Sequence, residues 1–202
     1  MNFLGHCFLC QQHSHLMAGN LAGDSFKGQL TNFENLPKHI LDGITLHRFI
    51  DDYTDSSDSI KAVAHLFQEN GIQKISFIAC DILLDHYLAQ NWSNYTSQLY
   101  LQFIQHIYST VNKELGGLPD DFKFLYSKMI EYNWLEIYPQ EDGIRKILRQ
   151  FSNRMQFDND LDKCMDIYLQ HKTVIDSHFK TFLSTIILAT DKFILESNME
   201  LS

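Results

Sequence analysis

The stretch from residue 40 to residue 55 has the apolar spacing of a helix, but its apolar stripe turns polar halfway along. On a 3.6-residue period, Ile40, Ile44, His47 and Asp51 lie on one face. The pattern therefore predicts a helix that brings an imidazole and a carboxylate into the protein interior. At a separation of four residues their Cβ atoms lie about 5 to 6 Å apart, so the two side chains can share a metal ion or a proton.

A second helical stretch repeats this arrangement. Ile78, Asp81, Asp85 and Leu88 fall on one face, so two carboxylates lie between apolar residues. His86 lies about 100° round the helix from Asp85. Two helices are therefore each expected to present acidic side chains and an imidazole.

The whole chain is expected to be all-α. It has only three prolines and nine glycines in 202 residues, with several helix-periodic runs and no sustained strand-like alternation. This length suits one helical bundle, so we expect a single domain over residues 1–202. No apolar run approaches the roughly 20 residues that span a bilayer. In the second half of the chain the periodicity predicts helices over about 119–133, 140–153, 160–176 and 177–195.

Composition bounds the compartment and the partners. The first residues lack the positive region of a secretory signal, and the four cysteines lie in apolar helical segments, so we expect reduced, buried thiols and a cytoplasmic protein. Cys7-x-x-Cys10 followed by His13 resembles half of a zinc site, but no second pair completes it. The net charge of −9 argues against nucleic-acid binding, because only residues 145–154 contain a basic cluster.

Two further polar residues are candidates from their local sequence. The Gly19-x-x-x-Gly23 spacing allows another backbone to approach closely, which would hold Asp24 against that neighbour and require a cation or metal beside it. The alternative is that Asp24 faces solvent or caps a turn. His6 lies in a short predicted helix, where a hydrogen-bonded core histidine is the alternative to a functional one.

Several catalytic schemes are disfavoured. The sequence contains no Gly-x-Ser-x-Gly, no Gly-x-x-x-x-Gly-Lys-Ser/Thr and no Gly-x-Gly-x-x-Gly motif. A serine hydrolase, a P-loop nucleotidase and a dinucleotide-dependent enzyme are therefore not expected. The histidine and aspartate residues are what remains to carry chemistry.

Four sequence blocks, in this order and spacing, resemble the motifs of the bacterial acyl carrier protein phosphodiesterase family. The resemblance covers about the first 92 residues, and four blocks together are far more specific than any one His-x-x-x-Asp pair. The blocks are Met1-Asn2-Phe3-Leu4-x-His6, Gly19-Asn20-Leu21-x-x-Asp24, Gly43-Ile44-x-Leu46-His47-Arg48-x-Ile50-Asp51-x-x-Thr54-Asp55 and Asp81-x-x-x-Asp85-His86-x-Leu88.

The resemblance implies an all-α fold similar to the HD-domain metal phosphohydrolases and a dependence on a divalent metal. Manganese is the expected ion, with magnesium, iron and zinc as alternatives. The implied reaction is hydrolysis of the phosphodiester that joins 4′-phosphopantetheine to a serine of holo acyl carrier protein. The matching site positions are His6, Asp24, His47, Arg48, Asp51, Asp81, Asp85 and His86.

We expect these positions to divide into metal ligands and helpers. Arg48 could hold the phosphate oxygens, while His6 or Asp81 could orient ligands or deliver a proton to the departing serine oxygen. One or two metal ions would be held by His47, Asp51, Asp85 and His86, with help from Asp24.

Two other functions are kept as alternatives. One is a related metal phosphohydrolase that acts on a nucleotide or another small phosphodiester. The other is a non-catalytic helical binding module whose histidines and aspartates form a buried polar network. An acidic carrier protein would also need a basic docking surface, for which the candidates are Lys27, Lys38 and Arg48, or the cluster at residues 145–154.

Overall fold

A computed structural model describes residues 1–199, and these residues form eleven α-helices joined by turns and short 3-10 segments. No β-strand occurs within that part of the chain, so the all-α prediction is confirmed. The helices are α1 (Phe3–Leu9), α2 (Met17–Leu21), α3 (Lys38–Ser56), α4 (Asp58–Glu69), α5 (Ser76–Gln90), α6 (Tyr100–Glu114), α7 (Asp120–Glu131), α8 (Trp134–Ile137), α9 (Glu141–Arg154), α10 (Cys164–Gln170) and α11 (Lys172–Glu196).

Helix α5 lies in the centre of the core. Residues 82–89 are all buried, and α5 packs against α1, α4, α9, α10 and α11. A helix that is apolar around its whole circumference is stable only when other helices surround it. The predicted buried stripe of α5 was wrong at its first residue, since Ile78 is 36% exposed and faces outward in the first turn together with Phe77.

The buried apolar side chains form one continuous cluster that runs from Met1 to Met199. The described residues therefore make a single helical domain, while residues 200–202 of the predicted domain lie outside them. Between residues 1 and 199, no helix combines the length and the hydropathy that crossing a membrane requires. All four cysteines are buried and unpaired, as their apolar surroundings predicted.

The predicted division between helices 160–176 and 177–195 was wrong. Helix α10 ends at Gln170, and α11 continues through Ser177 without a break. Ile175, Phe179 and Phe182 are buried on one face of α11, so a single packed stripe crosses the predicted boundary. Ser177 faces solvent, where a serine in a helix interior is tolerated.

The crossing of α2 and α3 depends on two glycines. A Cβ atom at Gly19 would lie 2.3 Å from the backbone oxygen of Ile40, and one at Gly43 would lie 2.4 Å from the backbone oxygen of Leu16. No other residue type fits at such distances, so the two backbones touch directly. The close approach predicted from the Gly19-x-x-x-Gly23 spacing is therefore present at Gly19.

Candidate metal centre

Helices α1 and α3 and the turn after α2 bring one histidine and carboxylate cluster together. His6 comes from α1, while His47 and Asp51 lie one turn apart on α3, as the periodicity predicted. Asp24 lies in the 3-10 turn Gly23–Ser25, which follows α2. The tight crossing of α2 on α3 places this turn beside His47.

The ligand atoms of the cluster converge on the Asp51 carboxylate. His6 Nε2 lies 3.1 Å from Asp51 Oδ1, and His47 Nε2 lies 3.0 Å from Asp51 Oδ2. The two imidazole rings stack with their centroids 4.3 Å apart. His6, His47 and Asp51 each offer one ligand atom within 4.8 Å of the others, which is the arrangement of a group that could hold a metal ion.

The cluster is buried on the histidine side and open on the aspartate side. The side chains of His6 and His47 are 4% and 6% exposed, whereas those of Asp51 and Asp24 are 39% and 87% exposed. Asp24 Oδ1 lies 3.4 Å from His47 Nε2. Asp24 therefore stands at the solvent-facing mouth of the cluster, and the alternative interpretation, that it faces solvent, is confirmed. The expectation that a close backbone approach would hold Asp24 against its neighbour was wrong, although its carboxylate does lie beside the His47 ring.

A third glycine makes room for the His47 ring. A Cβ atom at Gly23 would lie 2.2 Å from His47 Cγ, so the imidazole packs directly on the Gly23 backbone. This contact fixes one face of the His47 ring, and the ring also stacks on the imidazole of His6. The ring of His47 is thereby held between two surfaces before any ligand binds.

Asn20 is the residue at this site that sequence reasoning missed. It is completely buried, its Oδ1 lies 2.9 Å from His6 Nδ1, and its backbone oxygen lies 2.8 Å from His47 Nδ1. Its side-chain amide also donates a hydrogen bond to the backbone oxygen of His6 at 2.8 Å. The only signal in the sequence was its place between Gly19 and Asp24 in one of the four blocks, which gave it no role.

The two histidines differ in their affinity for a proton. Burial acts to lower the pKa of His47, but its interactions with Asp24 and Asp51 outweigh it and raise the pKa to about 9. Burial lowers the pKa of His6, and positive charge on the stacked His47 lowers it further. Positive charge is therefore favoured between the two rings and Asp51, and His47 binds a proton more readily than His6 does.

The carboxylates of the cluster are held in their charged form. Burial acts to raise the pKa of Asp51, but the interactions with His47 and His6 are stronger and place the pKa well below its usual range. The close approach of the His47 ring, 3.4 Å away, also lowers the pKa of Asp24. Both aspartates are therefore ionised at neutral pH, which is the state that binds metal ions.

Asp85 and Asp81 are bound elsewhere, at the start of α1. Asp85 is fully buried, and its carboxylate accepts hydrogen bonds from the backbone N–H of Leu4 at 2.7 Å and of Gly5 at 3.0 Å. Asp81 Oδ1 lies 2.7 Å from the α-amino group of Met1. Asp85 thus satisfies the free N–H groups at the first turn of the helix that carries His6.

His86 lies in a different part of the core. Its Nδ1 is 2.6 Å from the backbone oxygen of Tyr138, and its ring meets Tyr168 edge-on at a centroid distance of 5.7 Å. The structure therefore does not bring Asp85 and His86 into the group formed by His6, His47 and Asp51.

Arg48 is turned away from His47, as their adjacent positions on α3 require. Its side chain donates a hydrogen bond from Nη2 to the backbone oxygen of Phe26 at 2.8 Å and is half-buried. Phe26 directly follows the Gly23–Ser25 turn that carries Asp24, so one short loop contributes both Asp24 and the acceptor of the Arg48 guanidinium. The orientation of the Arg48 side chain is therefore set by its hydrogen bond to Phe26 and not by the histidines.

The donor set fits a divalent ion. His47 Nε2 is buried, and within residues 1–199 no group is aligned to form a hydrogen bond with it, although Asp51 is close. An unsatisfied buried nitrogen beside ionised carboxylates has a ready partner in a metal cation. Imidazole together with carboxylate is a ligand set that suits manganese, iron and zinc.

Fold and site together define an all-helical protein with a histidine and aspartate group that could hold a divalent metal. The sequence model of the family described as "Acyl carrier protein phosphodiesterase" matches residues 1–186. The chain belongs to this family, and the match extends well beyond the first 92 residues on which the resemblance was based.

Relatives carry the same name. The acyl carrier protein phosphodiesterase of Enterobacter sp. (strain 638) is 29% identical over 184 residues, which cover 90% of this chain and 93% of the relative. That of Yersinia pestis is 29% identical over 187 residues, covering 92% and 95%. That of Klebsiella pneumoniae (strain 342) is 30% identical over 155 residues, covering 76% and 79%. No solved structure matches the chain, so the expected similarity to HD-domain phosphohydrolases stays a prediction.

Proposed function

We propose that this chain is a metal-dependent phosphodiesterase that removes 4′-phosphopantetheine from a serine of holo acyl carrier protein. The observation that carries the proposal is the convergence of His6, His47 and Asp51 within 4.8 Å, in a chain that belongs to the acyl carrier protein phosphodiesterase family. The products are apo acyl carrier protein and free phosphopantetheine.

The proposed metal ligands are His6, His47 and Asp51, with Asp24 at the open side. This set differs from the one expected from the sequence, because His6 replaces Asp85 and His86. Manganese is the proposed ion, and zinc, iron or magnesium are the alternatives that the test below includes. When bound, a divalent ion supplies an activated water and positive charge next to the phosphate.

Arg48 is the proposed phosphate-binding residue. A guanidinium has five N–H donors, and within residues 1–199 one of them has a hydrogen-bond partner, the Phe26 backbone oxygen. That hydrogen bond holds the planar group in one orientation, so the remaining donors are available to non-bridging oxygens. Arg48 would stabilise the negative charge that develops on the phosphate during hydrolysis.

Asp81 remains the proposed source of the proton for the departing serine oxygen, since His6 is assigned to the metal. Its side chain is 33% exposed and is bound to the α-amino group of Met1. Delivery of a proton requires the carboxylate to leave that partner and to be protonated first. The role therefore demands a local rearrangement at the start of α1.

The proposed docking surface for the acidic carrier protein is the basic group beside the mouth, formed by Lys27 and Arg48. Lys27 is exposed and directly follows Phe26, whose backbone oxygen binds Arg48. In the alternative cluster on α9, Arg145 is occupied by ion pairs with Glu141 and Asp166. Docking beside the mouth would also bring the carrier's modified serine to the cluster, which docking on α9 does not explain.

We place the reaction in the cytoplasm. All four cysteines are buried and unpaired, which suits a reducing compartment. The substrate named for this family is a carrier protein, so enzyme and substrate must share a compartment.

The test is incubation of chelator-treated protein with holo acyl carrier protein, with and without Mn²⁺, Zn²⁺, Fe²⁺ or Mg²⁺. The mass of the carrier reports loss of the phosphopantetheine group, which we expect only when metal is present. Loss without metal would overturn the metal dependence. Hydrolysis of a small phosphodiester, such as bis(p-nitrophenyl) phosphate, without action on the carrier would support the small-substrate alternative.

Two neighbouring aspartates on α3 provide a matched pair for the ligand assignment. Asp51→Asn removes a proposed ligand, whereas Asp52→Asn makes the same change at an exposed side chain one residue away. We expect Asp51→Asn to lower activity by more than about 100-fold and Asp52→Asn to leave it nearly unchanged. Equal activity of the two variants would refute the role of Asp51.

A further inference from the structure

We infer that Asn20 is a positioning residue that fixes the tautomer of both histidines, so that their Nε2 atoms present lone pairs to the same point. The inference rests on the proposed function in one respect: His6 and His47 are taken as metal ligands through Nε2. A single buried residue then prepares two ligands at once, one with its side chain and one with its backbone.

The backbone contact determines the state of His47. The backbone oxygen of Asn20 lies 2.8 Å from His47 Nδ1. A carbonyl oxygen can only accept a hydrogen bond, so Nδ1 must carry the proton. In the neutral ring the lone pair is then at Nε2, which faces Asp51.

The side-chain contact determines the state of His6. Asn20 Oδ1 lies 2.9 Å from His6 Nδ1, and Asn20 Nδ2 donates to the backbone oxygen of His6 at 2.8 Å. The second bond settles the orientation of the amide, because the opposite orientation would bring two acceptor oxygens together. Oδ1 is therefore the atom that faces Nδ1, and His6 also carries its proton there.

Two lone pairs are thus directed at one carboxylate. His6 Nε2 and His47 Nε2 lie 3.1 Å and 3.0 Å from the two oxygens of Asp51, and the rings are stacked at an angle of 20° between their planes. Four electron-rich atoms, two ring nitrogens and two carboxylate oxygens, repel one another at these distances unless a proton or a metal ion lies between them. Asn20 excludes the alternative tautomer, in which Nε2–H groups would satisfy Asp51 and leave no ligand atom.

The first test needs no variant. Protein labelled with ¹⁵N-histidine is stripped of metal and measured by NMR at an alkaline pH at which the imidazole signals no longer move. We expect both His6 and His47 to show a protonated Nδ1 and an unprotonated Nε2. A protonated Nε2 in either neutral ring overturns the inference for that ring.

The second test uses the difference between the two contacts. Asn20→Leu keeps the side-chain size and removes Oδ1 and Nδ2, but it cannot remove the backbone oxygen. We expect the tautomer of His6 to change or become mixed, while His47 keeps its proton on Nδ1 as an internal control. An unchanged His6 in Asn20→Leu overturns the inference, and the wild-type spectrum decides the question if that variant does not fold.

Metal affinity separates this inference from the proposed function. Titration with Mn²⁺, followed by calorimetry, is expected to show binding about 10- to 100-fold weaker in Asn20→Leu than in the wild type. Equal affinity in the two proteins would overturn the positioning role. Failure of the wild type to bind any divalent ion, with both tautomers as expected, would instead refute the metal-dependent function and leave the tautomer assignment intact.

Discussion

Replacing Gly43 by alanine should lower both the stability of the protein and its affinity for metal, although Gly43 is not a proposed ligand. The added Cβ would lie 2.4 Å from the backbone oxygen of Leu16 and 2.8 Å from both the backbone nitrogen of Asn20 and the Cα of Gly19. These atoms belong to the backbone of the α2 region, so no side chain can rotate to make room. The helices must separate, and the Asn20 oxygen that orients His47 must move with α2.

Two opposing contributions set the size of the effect. Alanine is favoured over glycine in a helix interior by about 1 kcal/mol. Overpacking costs about 1 to 3 kcal/mol, and a contact with backbone belongs at the upper end of that range. We expect a net destabilisation of about 2 kcal/mol, which for a chain of this size lowers the melting temperature by roughly 4 to 8 °C.

The measurement combines urea unfolding with Mn²⁺ titration of the folded variant. Gly116→Ala is the matched control, because a Cβ at Gly116 would meet no atom of the described residues within 4 Å, and its stability should not fall. We expect Gly43→Ala alone to lose stability and metal affinity. Wild-type stability and affinity in Gly43→Ala would show that the α2–α3 backbones are not in contact as described.

Three further predictions follow from the charged groups. Burial raises the pKa of Asp85 to about 7, so its contribution to the free energy of unfolding is complete below about pH 4 and is lost as the pH rises through about 7. The loss is on the order of 4 kcal/mol in urea unfolding curves, and Asp85→Asn should lack it. An equally steep pH dependence in Asp85→Asn would contradict this role of Asp85. Mn²⁺ at 100 times its dissociation constant should stabilise the folded protein by about 2.7 kcal/mol in thermal unfolding, and persistence of this shift in Asp51→Asn would argue against the ligand set. Lys27→Glu should raise KM for holo carrier protein at low salt with little change in kcat, whereas Lys180→Glu on α11 should not; equal KM values would remove Lys27 from the docking surface.

Local periodicity predicted the part of the site that lies within one helix. His47 and Asp51 are neighbours because residues four apart share a face of any α-helix, whatever surrounds it. Helix geometry also explains why the adjacent residues Asp85 and His86 cannot bind the same metal ion. Adjacent residues point about 100° apart, so Asp85 faces α1 while His86 faces Tyr138 and Tyr168.

The contacts between helices could not be read from the sequence. His6 reaches Asp51 across 45 residues, and Asn20 reaches both histidines, because α1, α2 and α3 meet at one point. Periodicity says which face of each helix is buried, but it does not say which helices meet or at what angle. The Gly19 spacing correctly indicated a close approach, yet it did not identify α3 as the partner.

The first turn of α1 has a consequence for the order in which the site can assemble. With seven residues, α1 is far below the length at which an isolated helix is stable in water. Its N–H groups at Leu4 and Gly5 depend on Asp85, which comes 34 residues after the last proposed ligand, Asp51. A fragment that ends with α3 would contain every proposed ligand and still lack the metal site. During synthesis the site can therefore bind metal only after α5 has been made and has packed on α1.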